Sequence, residues 1–478
     1  MNNPEEIKEK KTSQIIPEIT FGELPENLRI AAGHVGWDSL MPVQRKAIPY
    51  LTAKKDVMIQ ARTGSGKTGA FLLPMLERLR PNKKYCQALI LVPTRELAKQ
   101  VEEEAKTICQ DSGLKTVAVY GGVGYGEQIQ AFKEGAQIVV GTPGRVLDHL
   151  IKRSFNLDRL EMLIFDEADR MLSMGFYPDM KEVQSHLPRH DVNTCMFSAT
   201  FPAHVIGAAN EFMVEPEFIS LSSDHVHVTD VEHILYNVPS MDKDRTLIRL
   251  IELENPVSAI IFCNTKRRVN YVATILKRYG YDADELSSDL SQQRRERVLG
   301  RVRDGSLRFL VATDVAARGI DIASLSHVIQ YEPPDEMEAY IHRSGRTGRA
   351  GASGIAMTLV YSVEKRTMKQ IGIRYKIEFD ERDVPTHEDV AAVVAERSMV
   401  FLEASLRERD KLQADRSLRF KALAEKLIES QDELPIITML LDEYYQKAQH
   451  KFVPKVEAKP KKAKKPYKKK SDSNRRRG

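Results

Sequence analysis

The sequence has few cysteines and lacks any long apolar run. Its four cysteines, Cys86, Cys109, Cys195 and Cys263, are scattered and include no C-x-x-C pair. This spacing favours reduced, buried thiols in a cytosolic protein over disulfides or zinc ligands. No stretch reaches the roughly 18 apolar residues of a transmembrane helix, so we expect no membrane span. The polar residues from Met1 to Gln14 lack the apolar segment of a secretory signal, so we expect a cytoplasmic protein.

The length and the strand pattern indicate two α/β domains in tandem. A chain of 478 residues is too long for one hydrophobic core. From residue 56 to about 221, short β-rich runs alternate with helical stretches, which is typical of βαβ units in a parallel sheet. The alternation restarts after the polar residues 222–232, which we interpret as a linker. The predicted strands are 57–59, 88–92, 137–140, 162–165 and 194–197, then 259–263, 309–313, 327–331 and 355–360.

The C-terminal part of the chain has a different pattern. Beyond residue 385 the strand signal disappears and apolar residues recur at helical spacing. Residues 385–449 are predicted to form a helical module, either a cap on the second domain or a dimerisation element. From Lys451 to Gly478 the chain carries 13 lysines and arginines against two acidic residues, a net charge of +11. This segment lacks the apolar side chains needed to fold alone, and we expect a disordered tail that either aids solubility or adds phosphate contacts to a nucleic acid; we favour the second.

A phosphate-binding loop is indicated between the first predicted strand and the helix after it. Its sequence is Ala61-Arg62-Thr63-Gly64-Ser65-Gly66-Lys67-Thr68. Such a loop offers backbone N–H groups, a helix N-terminus and a lysine to phosphates, and a hydroxyl to Mg²⁺. Alone, the pattern indicates only nucleotide binding, which kinases, transport ATPases and GTPases share.

An acidic motif narrows the class of nucleotide-binding protein. Asp166-Glu167-Ala168-Asp169 follows the apolar run 162–165. Catalytic groups of parallel sheets lie at the carboxyl ends of strands, although acidic residues also favour any helix N-terminus. We predict that Asp166 holds Mg²⁺ and that Glu167 orients or deprotonates the attacking water.

The order of these motifs resembles that of the DEAD-box RNA helicases of bacteria. Gly36-Trp37 with Pro42 and Gln44, the phosphate loop and the acidic motif all match, and the likeness extends over residues 21–360. It implies two tandem RecA-like parallel-sheet domains that use ATP and Mg²⁺ to act on RNA. The implied domains are an N-terminal extension (1–20), an ATP-binding domain (21–221), a linker (222–232), a C-terminal helicase domain (233–376), the helical module (385–449) and a basic RNA-binding tail (450–478).

The resemblance also assigns the nucleotide site. Gln44 would bond the adenine edge, with Phe21 stacked near it. Thr68 and Asp166 would hold Mg²⁺, largely through water. The implied nucleotide-binding residues are Phe21, Gln44, Ala61, Thr63, Gly64, Ser65, Gly66, Lys67, Thr68 and Asp321.

Further motifs match the family's RNA-facing and coupling residues. Glycines let backbone N–H groups approach phosphates, while arginine and threonine donate hydrogen bonds to them. The implied RNA-binding residues are Pro93, Thr94, Arg95, Gly122, Thr142, Pro143, Gly144, Arg145, Thr265, Gln292, Arg295, Thr313 and Gly319. Coupling between the ATP and RNA sites would involve Asp169, Ser198, Thr200 and His342.

The second predicted domain contributes an arginine-rich segment, residues 342–349. Its three arginines exceed what a fold alone needs, although a solvated basic loop is the alternative interpretation. We predict that Arg346 and Arg349 reach the γ-phosphate held by the first domain, because a guanidinium stays charged and forks onto phosphate oxygens. The predicted catalytic residues are then Lys67, Asp166, Glu167, Arg346 and Arg349.

Two other functions remain open at this stage. A DNA-directed helicase or translocase could use the same two domains, and an RNA clamp could bind RNA with an ATPase of little importance. An unrelated P-loop kinase does not explain the second domain's arginines. Homodimerisation through residues 385–449 is a further expectation.

Overall fold

The computed structural model describes residues 16–61, 65–220, 231–287, 289–317, 325–348, 353–429 and 431–448. Within these ranges no helix is long and apolar enough to cross a membrane. The first domain contains strands β1 to β7 and helices α1 to α9. In chain order these are α1 (Glu26–His34), α2 (Pro42–Thr52), β1 (Val57–Gln60), α3 (Lys67–Arg78), β2 (Ala88–Leu91), α4 (Arg95–Cys109), β3 (Thr116–Val119), α5 (Gly126–Lys133), β4 (Ile138–Gly141), α6 (Pro143–Ile151), β5 (Met162–Phe165), α7 (Ala168–Ser173), α8 (Tyr177–Ser185), β6 (Asn193–Ser198), α9 (Ala203–Phe212) and β7 (Glu217–Ser220).

The second domain repeats this architecture. Its elements are β8 (Val231–Asn237), α10 (Lys243–Glu254), β9 (Ala259–Phe262), α11 (Lys266–Arg278), β10 (Ala283–Leu286), α12 (Gln292–Arg303), β11 (Phe309–Ala312), α13 (Asp314–Ala317), β12 (His327–Gln330), α14 (Met337–Ser344), β13 (Gly354–Val360), α15 (Lys365–Tyr375) and β14 (Asp380–Arg382). Helices α16 (His387–Arg407), α17 (Lys411–Leu418), α18 (Lys421–Glu429) and α19 (Leu434–Ala448) follow.

Each domain is built around a seven-stranded sheet of parallel pairs. The first sheet has the order β3-β4-β2-β5-β6-β1-β7 and the second β10-β11-β9-β12-β13-β8-β14. The central strands are buried along their whole length because helices cover both faces. In β1, Val57 and Ile59 face one core while Met58 faces the other. The predicted fold of two parallel-sheet domains followed by helices is therefore confirmed.

The strands that the sequence pattern missed lie mainly at sheet edges. These are β3 and β7 in the first sheet, and β10, β14 and the neighbouring β8 in the second. Edge strands are half-exposed, so they lack the continuous apolar run that identifies a central strand. As a result β8 begins at Val231, inside the expected linker, and β14 lies beyond residue 376, where we expected the second domain to end.

The C-terminal helices pack against both domains. Val400 and Phe401 of α16 and Tyr445 and Ala448 of α19 join one hydrophobic core of the first domain. Helix α16 also packs along α10 of the second domain. A cap on the second domain alone is therefore wrong, because α16 buries apolar side chains in the first domain as well.

One arginine of the segment 342–349 belongs to the fold of the second domain. Arg343 is 1% exposed, and its guanidinium donates to both carboxylate oxygens of Asp314 at 2.7 and 2.6 Å. It also donates to the Glu332 carbonyl at 2.7 Å and to the Asn264 side-chain oxygen at 2.8 Å. The expectation that the fold needs none of the three arginines is wrong for Arg343, since it joins the ends of three strands.

We expect Arg343→Met to lower the free energy of unfolding of the second domain by about 3 kcal/mol, because it leaves a carboxylate and two other oxygens, all partly buried, without their donor. The exposed Arg374, which pairs with Glu338 at the surface, provides the control Arg374→Met, with an effect of under about 1 kcal/mol. Urea unfolding by circular dichroism measures both domains, whereas the single tryptophan, Trp37, reports on the first. An equal loss of unfolding free energy in the two variants would contradict the structural role of Arg343.

Candidate active site

The phosphate loop joins β1 to α3 at the carboxyl edge of the first sheet. Gly66 caps α3 with φ of +85°, a conformation that favours glycine. Lys67 is buried, and its Nζ lies 3.3 Å from the Ala61 carbonyl and 3.9 Å from the Asp166 carboxylate. Within the described residues the buried hydroxyl of Ser65 has no hydrogen-bond partner. A lysine and an unpaired hydroxyl at a helix N-terminus fit a bound phosphate. Thr63 and Gly64 lie outside the described residues.

The acidic motif follows β5, at the same carboxyl edge of the first sheet as the phosphate loop. Asp166 is 3% exposed, and one of its oxygens accepts the Glu167 backbone N–H at 3.0 Å. Burial raises the pKa of the Asp166 carboxyl to about 6, although the Lys67 ammonium opposes the shift. A bound cation would lower this pKa and keep the carboxylate ionised, because a positive charge favours the ionised form.

Glu167 occupies a left-handed backbone conformation. Its φ is +53°, which is rare for a residue with a Cβ. The turn starts α7 directly after β5 and leaves the Glu167 carboxylate in the cleft, with Arg170 Nη1 at 3.4 Å. Strained backbone of this kind is concentrated at functional sites.

The predicted coupling residues of the first domain form one hydrogen-bond network. One oxygen of Asp169 accepts the Thr200 backbone N–H at 2.9 Å and its hydroxyl at 2.8 Å. The Ser198 hydroxyl accepts the Asp169 N–H at 3.2 Å and donates to the Thr200 carbonyl at 2.7 Å. The turn after β6 is therefore fixed to the start of α7, where Glu167 lies.

The predicted adenine-reading residues lie beside the phosphate loop. Gln44 is 1% exposed and donates to the Gly66 carbonyl at 3.1 Å, while its oxygen accepts the Met41 N–H at 2.9 Å. The Trp37 ring lies so close to Gly69 that no Cβ fits there. Phe21 is partly buried against the hydrophobic core of the first domain that Trp37 also contacts. Gln44 thus supports the loop, with one amide hydrogen and one oxygen lone pair left for a ligand.

The hydroxyl of Thr68 faces Glu104 on α4. Burial raises the pKa of the Glu104 carboxyl, and the hydrogen bond from Thr68 partly opposes this shift. A metal ligand role for Thr68 therefore requires the hydroxyl to leave Glu104.

The predicted RNA-facing residues of the first domain gather at the same edge of the sheet. The Thr94 hydroxyl caps α4 by accepting the Leu97 N–H at 3.2 Å, and the Arg95 guanidinium lies against Gly122. Arg145 is 5% exposed, lies 4.1 Å from the Tyr125 ring centroid, and has Nε and Nη1 atoms unpaired within the described residues. Thr142, Pro143 and Gly144 form the turn into α6 beside Pro93.

In the second domain the predicted residues follow their strands in the same way. Thr265 caps α11, and Thr313 precedes α13. Arg295 donates to the Ala316 carbonyl at 2.9 Å, while Gln292 pairs with Glu296 at the surface. Gly319, Asp321 and Arg349 lie outside the described residues.

The structure does not bring Arg346 to the phosphate loop. Arg346 and the exposed His342 line a small pocket with Phe262 and Asp314, at the carboxyl edge of the second sheet. The cleft that holds Lys67 and Glu167, about 560 Å³, is closed on its other side by residues at the opposite edge of that sheet: Glu232, Pro256, Val257, His327 and Ile355. Since a four-residue strand spans about 13 Å, the two edges are well separated.

The cleft contains charged residues that the sequence pattern did not indicate. Glu254 lies at the end of α10, and burial raises the pKa of its carboxyl to about 7. Arg382 of β14 lines the same cleft and forms an ion pair with Glu232. Both come from elements without a motif, so only their position in the fold reveals them.

Comparisons with known proteins agree with this geometry. The DEAD/DEAH box helicase model matches residues 41–207, and the helicase conserved C-terminal domain model matches residues 242–351. The chain is 41% identical over 370 residues to the DEAD-box ATP-dependent RNA helicase CshA of Bacillus subtilis (strain 168), covering 77% of this chain and 75% of that protein. It is 38% identical over 421 residues to the ATP-dependent RNA helicase CshA of Listeria monocytogenes, covering 88% and 79%.

A similar solved structure is that of a DEAD box protein from the hyperthermophile Methanococcus jannaschii. The identity is 35% and the TM-score 0.44, over 77% of this chain and 100% of that one. The sequence identity to the Bacillus subtilis protein, over three quarters of its length, settles the family. This chain belongs to the DEAD-box ATP-dependent RNA helicases.

Proposed function

We propose that this chain couples ATP binding and hydrolysis to the local unwinding or remodelling of RNA duplexes and RNA–protein complexes. The observation that carries the proposal is the position of Lys67 and Glu167 in one cleft, with the Asp166 carboxylate 3.9 Å from Lys67 Nζ. Asp169 beside them is bonded to Thr200. Hydrogen bonds thus connect the nucleotide site to the turn after β6.

In the nucleotide site, the N–H groups of the phosphate loop and the Lys67 ammonium bind the phosphates. Ser65 contributes the hydroxyl that has no partner within the described residues. Gln44 and Phe21 recognise the adenine. The oxygens of Thr68 and Asp166 are the donors that Mg²⁺ prefers, and the ion would neutralise phosphate charge there. Glu167 orients the attacking water and accepts its proton.

The second domain completes the site when the two domains rearrange. Arg346 moves from its pocket to the γ-phosphate, together with Arg349, while Asp321 approaches the nucleotide. Guanidinium groups stabilise the negative charge on the transferred phosphoryl group. Hydrolysis breaks the bond between the β- and γ-phosphates, and release of the cleaved phosphate then removes its charge from the site and lets the domains separate again.

RNA binds across both domains through its phosphates and sugars. In the first domain Thr94, Arg95, Gly122 and Arg145 contact the backbone, and in the second Thr265, Arg295, Thr313 and Gly319 do so. ATP and RNA each stabilise the closed arrangement that the other needs. Such reciprocal coupling is typically worth about 1–3 kcal/mol. The network of Asp169, Ser198, Thr200 and, after closure, His342 transmits it.

The remaining segments receive supporting roles. We assign residues 21–221 and 231–382 to the two helicase domains, because β8 and β14 complete the second sheet, with a linker at 222–230 and an extension at 1–20. The basic tail, residues 450–478, lies outside the described residues and adds phosphate contacts. A cytoplasmic location suits an RNA substrate and four free, buried cysteines.

Homodimerisation through residues 385–449 rests on exposed apolar side chains. Five apolar residues on α17, on α18 and in the turn between them are all more than half exposed: Leu412, Leu418, Phe420, Leu423 and Ile428. A second copy would bury this surface. Analytical ultracentrifugation of the full chain should show a dimer, and Phe420→Glu with Leu423→Glu should yield a monomer. A monomeric full chain would remove this part of the proposal.

We expect ATP hydrolysis by the full chain to be strongly stimulated by single-stranded RNA and only weakly by DNA of matched sequence, at fixed salt. Glu167→Gln should retain ATP and RNA binding but lose turnover by about a hundredfold or more, because the water loses its base. Glu161→Gln, at the partly exposed amino end of β5, is the matched control.

Equal stimulation by DNA would favour the DNA translocase. RNA binding without stimulated hydrolysis would favour the RNA clamp. Normal turnover in Glu167→Gln would refute the role assigned to that carboxylate.

A further inference from the structure

Helix α16 is anchored in both domains at once. On the second domain, the buried Arg397 donates to the Glu252 carbonyl of α10 at 2.9 Å. It also donates to the Tyr445 hydroxyl of α19 at 2.8 Å. On the first domain, Phe401 is 2% exposed and packs against Gly175. A helix held this way fixes how the two domains lie relative to each other.

The same helix covers the surface of the first domain that we assign to RNA. Pro93, Thr94, Arg95, Gly121 and Thr142 face α16 across a gap of about 30 Å³. That volume leaves room for only a few water molecules. The α16 side of the gap is formed by Glu396, Met399, Val400 and Glu403. An RNA backbone cannot enter while α16 is in place.

Two carboxylates of α16 lie near the basic residues of this surface. Glu403 lies against Gly121, where an added Cβ would stand 2.5 Å from its Oε1. Burial raises the pKa of Glu403, and the charges of Arg145, Arg407 and Arg95 oppose the shift. Burial and a hydrogen bond with the Glu96 carboxyl raise the pKa of Glu396 to about 7, so these two carboxyls share a proton. The Glu403 carboxyl thus takes a position that a phosphate would take.

Arg407 fastens the end of α16 to the first domain. Its Nη2 donates to both carboxylate oxygens of Asp179 on α8, at 2.8 and 2.7 Å. Its Nη1 lies 3.3 Å from Asp148 and 3.4 Å from the Gly144 carbonyl. Asp179 is 6% exposed, so burial makes this ion pair costly to break on one side only. Arg407 is therefore an anchor next to the RNA surface, and itself covers Gly144.

We propose that α16 is a built-in competitor of RNA: docked between the domains, it occupies the RNA surface of the first domain and keeps Arg346 away from the ATP cleft. RNA displaces the helix, and the freed domains then close on ATP. This inference rests on the proposed function, because it assumes that Arg95, Gly122 and Arg145 bind RNA. It adds that the unliganded enzyme is restrained by its own C-terminal module.

The variant Arg407→Met tests the competition, because it weakens docking without changing any residue assigned to ATP or RNA. Removing a positive charge near the RNA surface would by itself weaken RNA binding, whereas releasing a competitor strengthens it. We expect the full-length variant to bind a fluorescently labelled single-stranded RNA on the order of tenfold tighter than the wild type, within the range of typical coupling energies. Arg409→Met, at an exposed residue just beyond α16, is the matched control and should bind like the wild type.

A second measurement uses the unmodified chain, so that it does not depend on the folding of a variant. Hydrogen exchange of the α16 amides should accelerate when RNA and a non-hydrolysable ATP analogue are added. RNA binding with equal or lower affinity in Arg407→Met, or with α16 still protected, would overturn the inference while leaving the proposed function intact. Failure of all three proteins to bind the RNA would instead overturn the proposed function, and the inference with it.

Discussion

Parallel strands place the residues that follow them at one edge of a sheet, and the phosphate-binding, acidic and coupling residues of the first domain depend on that constraint. The phosphate loop follows β1, the acidic motif follows β5, and the Ser198–Thr200 turn follows β6, and these three strands lie side by side. The proximity of Lys67 to Asp166 and of Asp169 to Thr200 results from this order. The turns that we propose to bind RNA follow β2 and β4 on the same edge, so a change at the nucleotide site would lie within one sheet width of the RNA.

The second domain obeys the same constraint, and this explains why the site is divided. Its Arg346 lies at the carboxyl edge of its own sheet, so it can meet the nucleotide only if that edge turns toward the first domain. In the structure the opposite edge closes the cleft, with contacts such as the Ser353 N–H to the Phe201 carbonyl at 3.0 Å. Helix α16 spans the two domains in this arrangement. In the proposed mechanism, catalytic competence depends on which edge of the second sheet faces the first domain, and ligands and α16 stabilise opposite arrangements.

Features carried by adjacent residues were predictable from the sequence, whereas features that depend on distant residues or on partial exposure were not. Central strands such as β5 were predictable because burial on both faces demands a continuous apolar run. The phosphate loop and the acidic motif were predictable because their chemistry is carried by adjacent residues. Edge strands such as β14 were not, since their half-exposed positions accept polar residues. The fold role of Arg343 was hidden because its partner Asp314 is 29 residues away.

Contacts of long sequence separation were the hardest to anticipate. Arg407 and Asp179 are 228 positions apart, and neither belongs to a motif. The apolar spacing of α16 indicated a helix with one buried face, but the surface that covers this face depends on the tertiary arrangement of both domains. The same is true of Glu254 in the cleft, which is an ordinary helix-end glutamate until the fold buries it.

The most direct test is a structure of the full chain with single-stranded RNA, Mg²⁺ and a non-hydrolysable ATP analogue. The account predicts that the Arg346 guanidinium contacts the γ-phosphate opposite Glu167, and that RNA lies along Arg95, Gly122 and Arg145 in place of Glu403. A complex with both ligands bound, with α16 still seated between the domains and Arg346 still in its own pocket, would contradict it.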